Sequence, residues 1–449
     1  MTNDPNNMTR IKTKQRSLGS FLLLAACCLG GTATAQQEMT LDNAIAIGLK
    51  NNYDILMARN QADISANDYH YAFGAFLPTL SASASRTWSQ TQINQKYSDG
   101  RAQNKSNTKS DNLDASADLN WTLFDGLKMF ATRDKLKAIV ASGELSFKNQ
   151  VVNTIAGIIT TYYNIVQQKQ QLQAISEQMS ISEERVKIAA NKFQSGLGSK
   201  IDQLQAQVDL NAQKAAYLQQ QTAIAESKAS LNQLIAMPAD RDYAVADSIP
   251  VNRSLTYDSL RGTVFEQNPG LLLAKNDITV SQLTLKELQR SRLPTISFNS
   301  SYSFSRQNSG AGFFLFNQNK GLQYGFSAFV PIFQGFNQTR QIKDARLDIA
   351  YRELNLQNTR SQVDVALLNS FKEYDYYRKA LALEEENLGV AQENVKVALE
   401  AFRQGQTSSL EVKEAQQGLA DATYRLISAR YNVKVSETAL LQLKGDLLQ

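Results

Sequence analysis

The chain has 449 residues, 43% hydrophobic and 20% charged, with 22 glycines and only 7 prolines, the composition of an ordered protein rather than a disordered or collagen-like one. One histidine, His70, and two cysteines, Cys27 and Cys28, are too few for a Cys/His zinc cluster or an HExxH site, and neither GxxxxGK[ST] nor GxGxxG is present. These counts argue against an enzyme and leave no cofactor or metal to expect.

Residues 1–35 read as an export signal: Arg10, Lys12, Lys14 and Arg16 form a cationic start, Phe21 to Ala26 an apolar core, and Ala33-Thr34-Ala35 an A-x-A cleavage site before Gln36. A lipoprotein signal is the alternative, since Leu24-Ala25-Ala26 leads into Cys27, which could be acylated. Removing the segment takes away those four bases and Asp4, so the formal charge falls from +5 to +2 and no basic patch argues for nucleic acid.

The remaining chain repeats itself. Asn52 and Leu77-Pro78-Thr79 match Asn268 and Leu293-Pro294-Thr295 at an offset of 216, and Phe124, Gly126, Phe193 and Gly196 match Phe333, Gly335, Phe402 and Gly405 at an offset of 209. Two units follow, 36–237 and 256–445, joined by a linker over 238–255. Each opens with a helix, about 41–76 and 257–292.

Period-two alternation then predicts a β-hairpin in each unit, 79–124 and 295–333, with a polar loop over Gln90 to Ser110 in the first and Gln307 to Lys320 in the second. Leu80, Ala82, Ala84 and Trp88, then Leu113, Leu119, Trp121 and Leu123, alternate with small polar residues; Ile296 to Phe304 and Leu322 to Ile332 repeat the pattern. Runs of this length suit tilted strands crossing a bilayer, with Asp114 and Asp118 on the polar face and Trp88, Trp121 and Tyr302 on the other. A half-buried hairpin in a soluble sheet gives the same alternation. Phe313 to Phe316 is an apolar patch within an otherwise polar loop.

Proline-free stretches follow, Leu127 to Gln194 and Phe336 to Gln404, each long enough for a helix of roughly 100 Å. One heptad seam runs Val151, Ile158, Ile165, Leu172, Met179, Val186, Phe193, and another Leu367, Tyr374, Leu381, Leu388, Val395, Phe402. The second seam position is often small or polar, as at Thr161, Ser182 and Ala189. Glycine then Ser/Thr stops one helix and starts the next at Gly196-Leu197-Gly198-Ser199 and Gly405-Gln406-Thr407-Ser408, so shorter helices return over about 200–236 and 409–443.

Four strands cannot cross lipid as an open sheet, because only closure removes the unpaired edges; two copies would give a filled eight-stranded barrel and three a twelve-stranded one with room for water. The duplicated helix–hairpin–helix unit, the Leu-Pro-Thr starts at Pro78 and Pro294, the Phe-x-Gly exits at Gly126 and Gly335 and the turns at Gly196 and Gly405 together resemble the TolC family of outer-membrane efflux proteins. The resemblance implies a mainly α fold with a membrane β-barrel: a homotrimer, with a twelve-stranded barrel in the outer membrane of a Gram-negative bacterium and a long α-helical barrel in the periplasm. It implies a passive exit duct of a tripartite efflux pump or type I secretion system, docked on a periplasmic adaptor and served by an inner-membrane RND or ABC transporter. The two tips, Gly196, Leu197, Gly198, Ser199 and Gly405, Gln406, Thr407, Ser408, become the adaptor-docking candidates. Glu411, Glu414 and Asp202 become the candidates for a gate at the periplasmic aperture, although the family's arginine latch partner is replaced by Thr407. His70, flanked by Tyr69 and Tyr71, reads as packing between helix and barrel. The rival reading is an exported coiled-coil structural or adaptor protein without a barrel.

Overall fold

The computed structural model describes residues 38–252, 254–311 and 314–447; the export signal and Cys27 lie outside them. The opening helix of each unit is two helices. In the first unit these are α1 (Leu41–Asn51) and α2 (Tyr53–His70), followed by a 3-10 turn, Tyr71–Phe76; in the second they are α5 (Tyr257–Gln267) and α6 (Pro269–Arg290). One buried asparagine makes each break. The Asn52 backbone N–H closes α1 on the Gly48 carbonyl, its Oδ1 accepts the Ile55 N–H at 3.0 Å to start α2, and its Nδ2 donates to the Leu234 carbonyl at 2.7 Å. Asn268 does the same with Val264, Leu271 (3.0 Å) and Leu443 (2.8 Å). Three orphan groups at helix ends are thus satisfied by one side chain and its amide. The asparagines set the returning helices, α4 (Lys200–Leu234) and α8 (Ser409–Lys444), end to end with α2 and α6.

The long helices α3 (Lys128–Gln194) and α7 (Asn337–Arg403) have 67 residues each, about 100 Å at 1.5 Å per residue. The seam of α7 is buried at Leu367, Tyr374, Leu381, Val395 and Phe402. That of α3 is buried only through Ile165; beyond it Leu172, Met179 and Val186 are half-buried and Phe193 is exposed. There the buried positions are Ala174, Ile175, Gln178, Ser182, Arg185 and Ala189. A helix turning at 3.6 residues drifts by about 20° per heptad against a strict seven-residue repeat, so the face that packs within the chain leaves the seam. Two apolar cores lie at mid-height, one around Ile155, Ile158, Tyr162 and Leu231 and one around Leu367, Tyr374, Leu381 and Val433. The connector between the units is packed: Tyr243, Val245 and Ile249 join the first core, and the Met39 N–H donates to the Ala244 carbonyl at 2.8 Å.

At one end the hairpins β1 (Thr79–Lys96) with β2 (Ala102–Phe124) and β3 (Thr295–Ser309) with β4 (Phe316–Phe329) form one antiparallel sheet in the order β1-β2-β3-β4. The strands are longer than alternation alone suggests. Most of the expected loops is ladder, with Gln90, Thr91 and Ile93 paired to Lys109, Thr108 and Lys105 across a bulge where Asn107 has φ +56°. Polar residues keep their backbone pairing when both faces are wet, so side-chain polarity marks the limit of the apolar band rather than the end of the strand. Conversely β4 stops at Phe329, short of Ile332, because the next two pairings would set Pro294 against Val330 and Pro331 against Leu293, and proline has no N–H to donate.

The sheet joins the helices through matched geometry. Gly126 (φ +73°) with Leu127 (φ +64°), and Gly335 (φ +59°) with Phe336 (φ +61°), turn each exit from extended chain into helix through two successive left-handed residues. Pro78 and Pro294 stand just before β1 and β3. Trp121 Nε1 donates to the Phe76 carbonyl at 2.9 Å, pinning the 3-10 turn to the sheet. His70 is exposed and meets Tyr71 and Phe73 edge-on at 5.0 and 6.3 Å, so it stands in a surface aromatic cluster rather than between helix and sheet.

Candidate functional site

Two regions carry the features that a channel needs: the sheet, and the hairpin tips at the other end of the long helices. On the sheet, register sorts side chains by face. Leu80, Ala82 and Ala84 pair with Leu119, Ala117 and Ala115, which pair in turn with Ser300, Tyr302 and Phe304. The opposite face carries Ser81, Ser83 and Ser85 against Asp118, Ser116 and Asp114, followed by Ser301, Ser303 and Ser305. Hydroxyls and carboxylates link across strands there, Ser83 to Ser116 at 3.0 Å and Ser301 Oγ donating to Asp118 at 2.5 Å. The other face exposes Leu80, Trp88, Tyr302, Leu322, Tyr324 and Phe326. Trp121 lies ten residues along β2 from Asp111, the partner of Trp88. That is about 34 Å of strand, or about 26 Å of height at a 40° tilt, close to the apolar band of an outer-membrane barrel.

The tips are paired turns. Gly196 and Gly405 take φ of +75° and +77°, and each ends its helix with the double bond pattern of a glycine C-cap. Leu197 N–H donates to the Lys192 carbonyl and Gly196 N–H to that of Phe193, while Gln406 and Gly405 donate likewise to Ala401 and Phe402. Ser199 and Ser408 then cap the next helices by accepting from the Ile201 and Glu411 N–H groups at 3.1 and 3.4 Å. Lys192 ties the tips together, donating to the Phe402 carbonyl at 2.6 Å with its ammonium 4.1 Å from the centre of that ring. Leu197 is 82% exposed, and with Ile201, Leu204 and Val208 it makes an apolar stripe down α4 that reading the turn alone did not reveal.

Of the gate candidates, Glu411 and Glu414 share the exposed flank of the first turns of α8, opposite buried Val412, Ala415 and Gln416, and neither is in a salt bridge among the described residues. Asp202 occupies the repeat-equivalent place on α4 and is half-buried. The structure does not pair it with Thr407, whose hydroxyl is buried without a partner.

Sequence reasoning missed a buried charge cluster above the tips. Arg185, 2% exposed, pairs through Nη2 with Asp209 and donates through Nη1 to Gln416 at 3.0 Å; Lys413 reaches the same Asp209 at 3.0 Å. Burial pushes the Asp209 carboxyl up, but hydrogen bonds from Lys413, Gln205 and Arg185 outweigh it and hold the group below its ordinary value. The cluster joins α3, α4 and α8. Arg185 and Asp209 stand twelve residues either side of Leu197, and that symmetry about a turn was the available signal.

Among the described residues no helix is long and apolar enough to cross a membrane, and no group of His, Cys, Asp and Glu is placed to hold a metal. The profile of the outer membrane efflux protein family matches residues 45–237 and 260–446. The chain is 23% identical over 434 residues to outer membrane efflux protein BepC of Brucella suis, covering 95% of this chain and 90% of that one. It is 20% identical over 412 residues to alkaline protease secretion protein AprF of Pseudomonas aeruginosa, covering 87% and 83%. Its fold is similar to the CmeC outer membrane channel of Campylobacter jejuni, with TM-score 0.75 and 18% identity over 90% of this chain and 85% of that one. It is also similar to the open MtrE channel of Neisseria gonorrhoeae, with TM-score 0.71 and 16% identity over 91% and 89%. The chain thus belongs to the outer membrane efflux protein family, whose members are TolC-like channels of the outer membrane that reach into the periplasm, and it is not an enzyme.

Proposed function

We propose that three copies of the mature chain, released by cleavage after Ala35 and built from two tandem units, close into one twelve-stranded barrel. The barrel would open into a periplasmic tube of helices, forming a passive exit duct. The observation that carries this reading is the sheet itself: it has an apolar face, a polar face and two free edges, β1 and β4, which lipid would not tolerate unpaired. The internal repeat supplies the closing contact. A Cβ on Gly126 would meet the Arg290 carbonyl and Leu293 Cβ at 2.5 Å each, whereas the equivalent Gly335 has nothing within 4 Å. Shifting Arg290 and Leu293 by the repeat offset gives Gly74 and Leu77, so Gly335 would receive those residues of a neighbouring copy.

The duct would take cargo from an inner-membrane transporter, of the RND or ABC kind, through a periplasmic adaptor that grips the tips, with the Leu197–Val208 stripe as the apolar part of its seat. Glu411, Glu414 and Asp202 would ring the lower aperture, favouring cations while it is closed. The test is a cysteine pair. Asp118 opposes Ser301 in the β2–β3 ladder, and the repeat carries that pair to Ser327 and Ser85 at the two free edges. Within one chain those residues are three strand spacings apart across the sheet and, because Ser85 is level with Asn319, eight residues apart along it, about 30 Å in all and too far for a disulfide. Ser85→Cys with Ser327→Cys should therefore give covalent trimers on a non-reducing gel and large pores in planar bilayers; monomers alone, with no conductance, would refute closure.

A further inference from the structure

The sheet sorts charge as well as polarity. The ladder places Trp88 beside Asp111, Gln90 beside Lys109, Leu113 beside both Arg86 and Arg306, and Phe304 beside Lys320, all on the face that carries Leu80 and Trp121. Up to the bulge that face therefore holds four bases and one acid, while the charges on the opposite face there are Asp114 and Asp118; beyond it Lys96 falls on the first face and Lys105, opposite Ile93 and donating to the Gly310 carbonyl, on the second. The bases are also segregated along the strands. None occurs between Trp121 and Ala115 on β2 or between Phe298 and Phe304 on β3; they begin at the level of Ala84 and continue towards the hairpin tips. Asp111 is held by Arg86 in a two-pronged pair at 2.9 and 2.8 Å, and the Arg86 guanidinium lies 4.9 Å from the centre of the Trp88 ring. Among the described residues, Lys109, Arg306 and Lys320 form no salt bridge, and Arg306 rests over the Phe316 ring at 5.5 Å, so three cations on an apolar surface have no carboxylate partner within the chain.

The surface is also shaped. A cavity of about 570 Å³ opens beside Trp88 and Leu315, with Gln90, Lys109, Asp111 and Asn308 supplying its polar wall. Among the described residues that line it, Lys109 is the one charge without an ion-pair partner, so an anionic head with an apolar body fits it. By the same measure of height along the tilted strands, Lys109 stands just beyond the Trp88 level, with Arg306 about 5 Å and Lys320 about 10 Å below that level; basic heads facing lipid are costly at mid-depth, so the long stems of Arg306 and Lys320 must carry them up towards the interface, where anionic headgroups favour them. Because the helical end of the molecule is periplasmic, the basic end of the sheet faces the outer leaflet.

We propose that Lys109, Arg306 and Lys320 form a docking surface for the phosphoryl groups of the outer-leaflet glycolipid, with Trp88 and Leu315 against its apolar part. Arg86 acts here through Asp111, engaging both carboxylate oxygens so that Asp111 forms no salt bridge with any of the three cations. The inference rests on the barrel reading, since only a sheet spanning the membrane would turn this face to lipid.

The test titrates detergent-purified full-length protein with bis-phosphorylated lipid A and with the same lipid after dephosphorylation, read by native mass spectrometry, and records conductance from the same preparations. The wild type should prefer the phosphorylated form at least tenfold. Lys109→Gln, Arg306→Gln and Lys320→Gln combined should abolish the preference while pores of normal conductance persist. If the triple variant fails to assemble, Lys109→Gln alone should still reduce the preference several-fold. A conducting wild type without preference, or a variant that retains it in full, removes the docking surface alone. A wild type that makes no pores removes the barrel reading, and the surface with it.

Discussion

The two helical hairpins turn alike and are held differently. Both end a 67-residue helix with a left-handed glycine and restart on a serine cap. In the first, Arg185 and Asp209 brace α3 against α4 just above the turn. The equivalent places in the second are Asn394 and Gly418, which cannot form that brace and instead line an open groove of about 710 Å³ with Val390, Val397 and Arg425. The second hairpin's own ion pairs, Arg425 on α8 with Glu384 on α7 at 3.0 Å and Arg430 with Glu385 at 3.8 Å, are farther from its turn. What holds its lower end reaches across to the first: Lys413 to Asp209, Gln416 to Arg185, Arg403 to Glu184 at 2.9 Å, and the Phe402 carbonyl to Lys192. A self-braced hairpin beside one that leans on it is an arrangement in which the leaning member moves, and Glu411 and Glu414 ride on that member.

The largest effect should come from removing the brace. Arg185→Ala leaves Asp209 with only Lys413 and Gln205 and empties a buried site, and loss of one partner of a buried pair costs about 3–5 kcal/mol. The lower end should loosen: conductance in bilayers should rise severalfold and limited proteolysis should cut near Gly405, while the proposed trimer, which the sheet at the far end would hold, survives. Unchanged conductance and unchanged cleavage would show that the cluster is only packing. The converse experiment copies the brace. Asn394→Arg with Gly418→Asp should stiffen the second hairpin and make openings rarer, with only about 0.3 kcal/mol of that coming from helix propensity at the glycine, since aspartate is itself a poor helix former. Loss of assembly would instead mark the groove as covered by another chain.

Charge without bracing gives a smaller effect. Glu411→Gln with Glu414→Gln should leave assembly and closure intact and shift the reversal potential in a salt gradient towards lower cation preference. An unaltered reversal potential would exclude these carboxylates from the aperture.

How much of this was legible follows from where the signal is local. The left-handed turns at Gly196 and Gly405 and the alternation at Leu80–Trp88 are written in consecutive residues, because backbone geometry and face are set by neighbours in sequence. The opening helices are broken at Asn52 and Asn268 by an interaction with the end of a helix some 180 residues away, which no window contains. The ends of the strands were misplaced for a related reason: polarity follows the solvent, whereas pairing follows the partner strand, and at Pro331 the ladder stops although the apolar alternation runs on to Ile332. The Arg185 cluster was hidden differently. A charged residue in a heptad frame reads as surface until its partners on two other helices are known, and one of those, Gln416, lies in the other repeat.

The smallest effect expected is on pH, and its sign is fixed by Asp209. Its carboxyl titrates below the ordinary 3.8, so the folded tip binds fewer protons there than the unfolded chain. The contribution is therefore complete above the ordinary value and is lost only as pH falls through the lowered native one. Conductance of the closed wild type should be flat from about pH 8 to about pH 5 and rise below about pH 4, as protonation releases Arg185 and Lys413 together. Asp209→Asn separates this from general acid effects: the variant should show the loosened state at neutral pH and little further change in acid, whereas Glu411→Gln should retain the wild-type acid response. A wild-type acid response that survives intact in Asp209→Asn would assign it to other carboxylates. It would also leave the difference between the hairpins resting on the shape of the groove at Gly418 rather than on the charge of the brace.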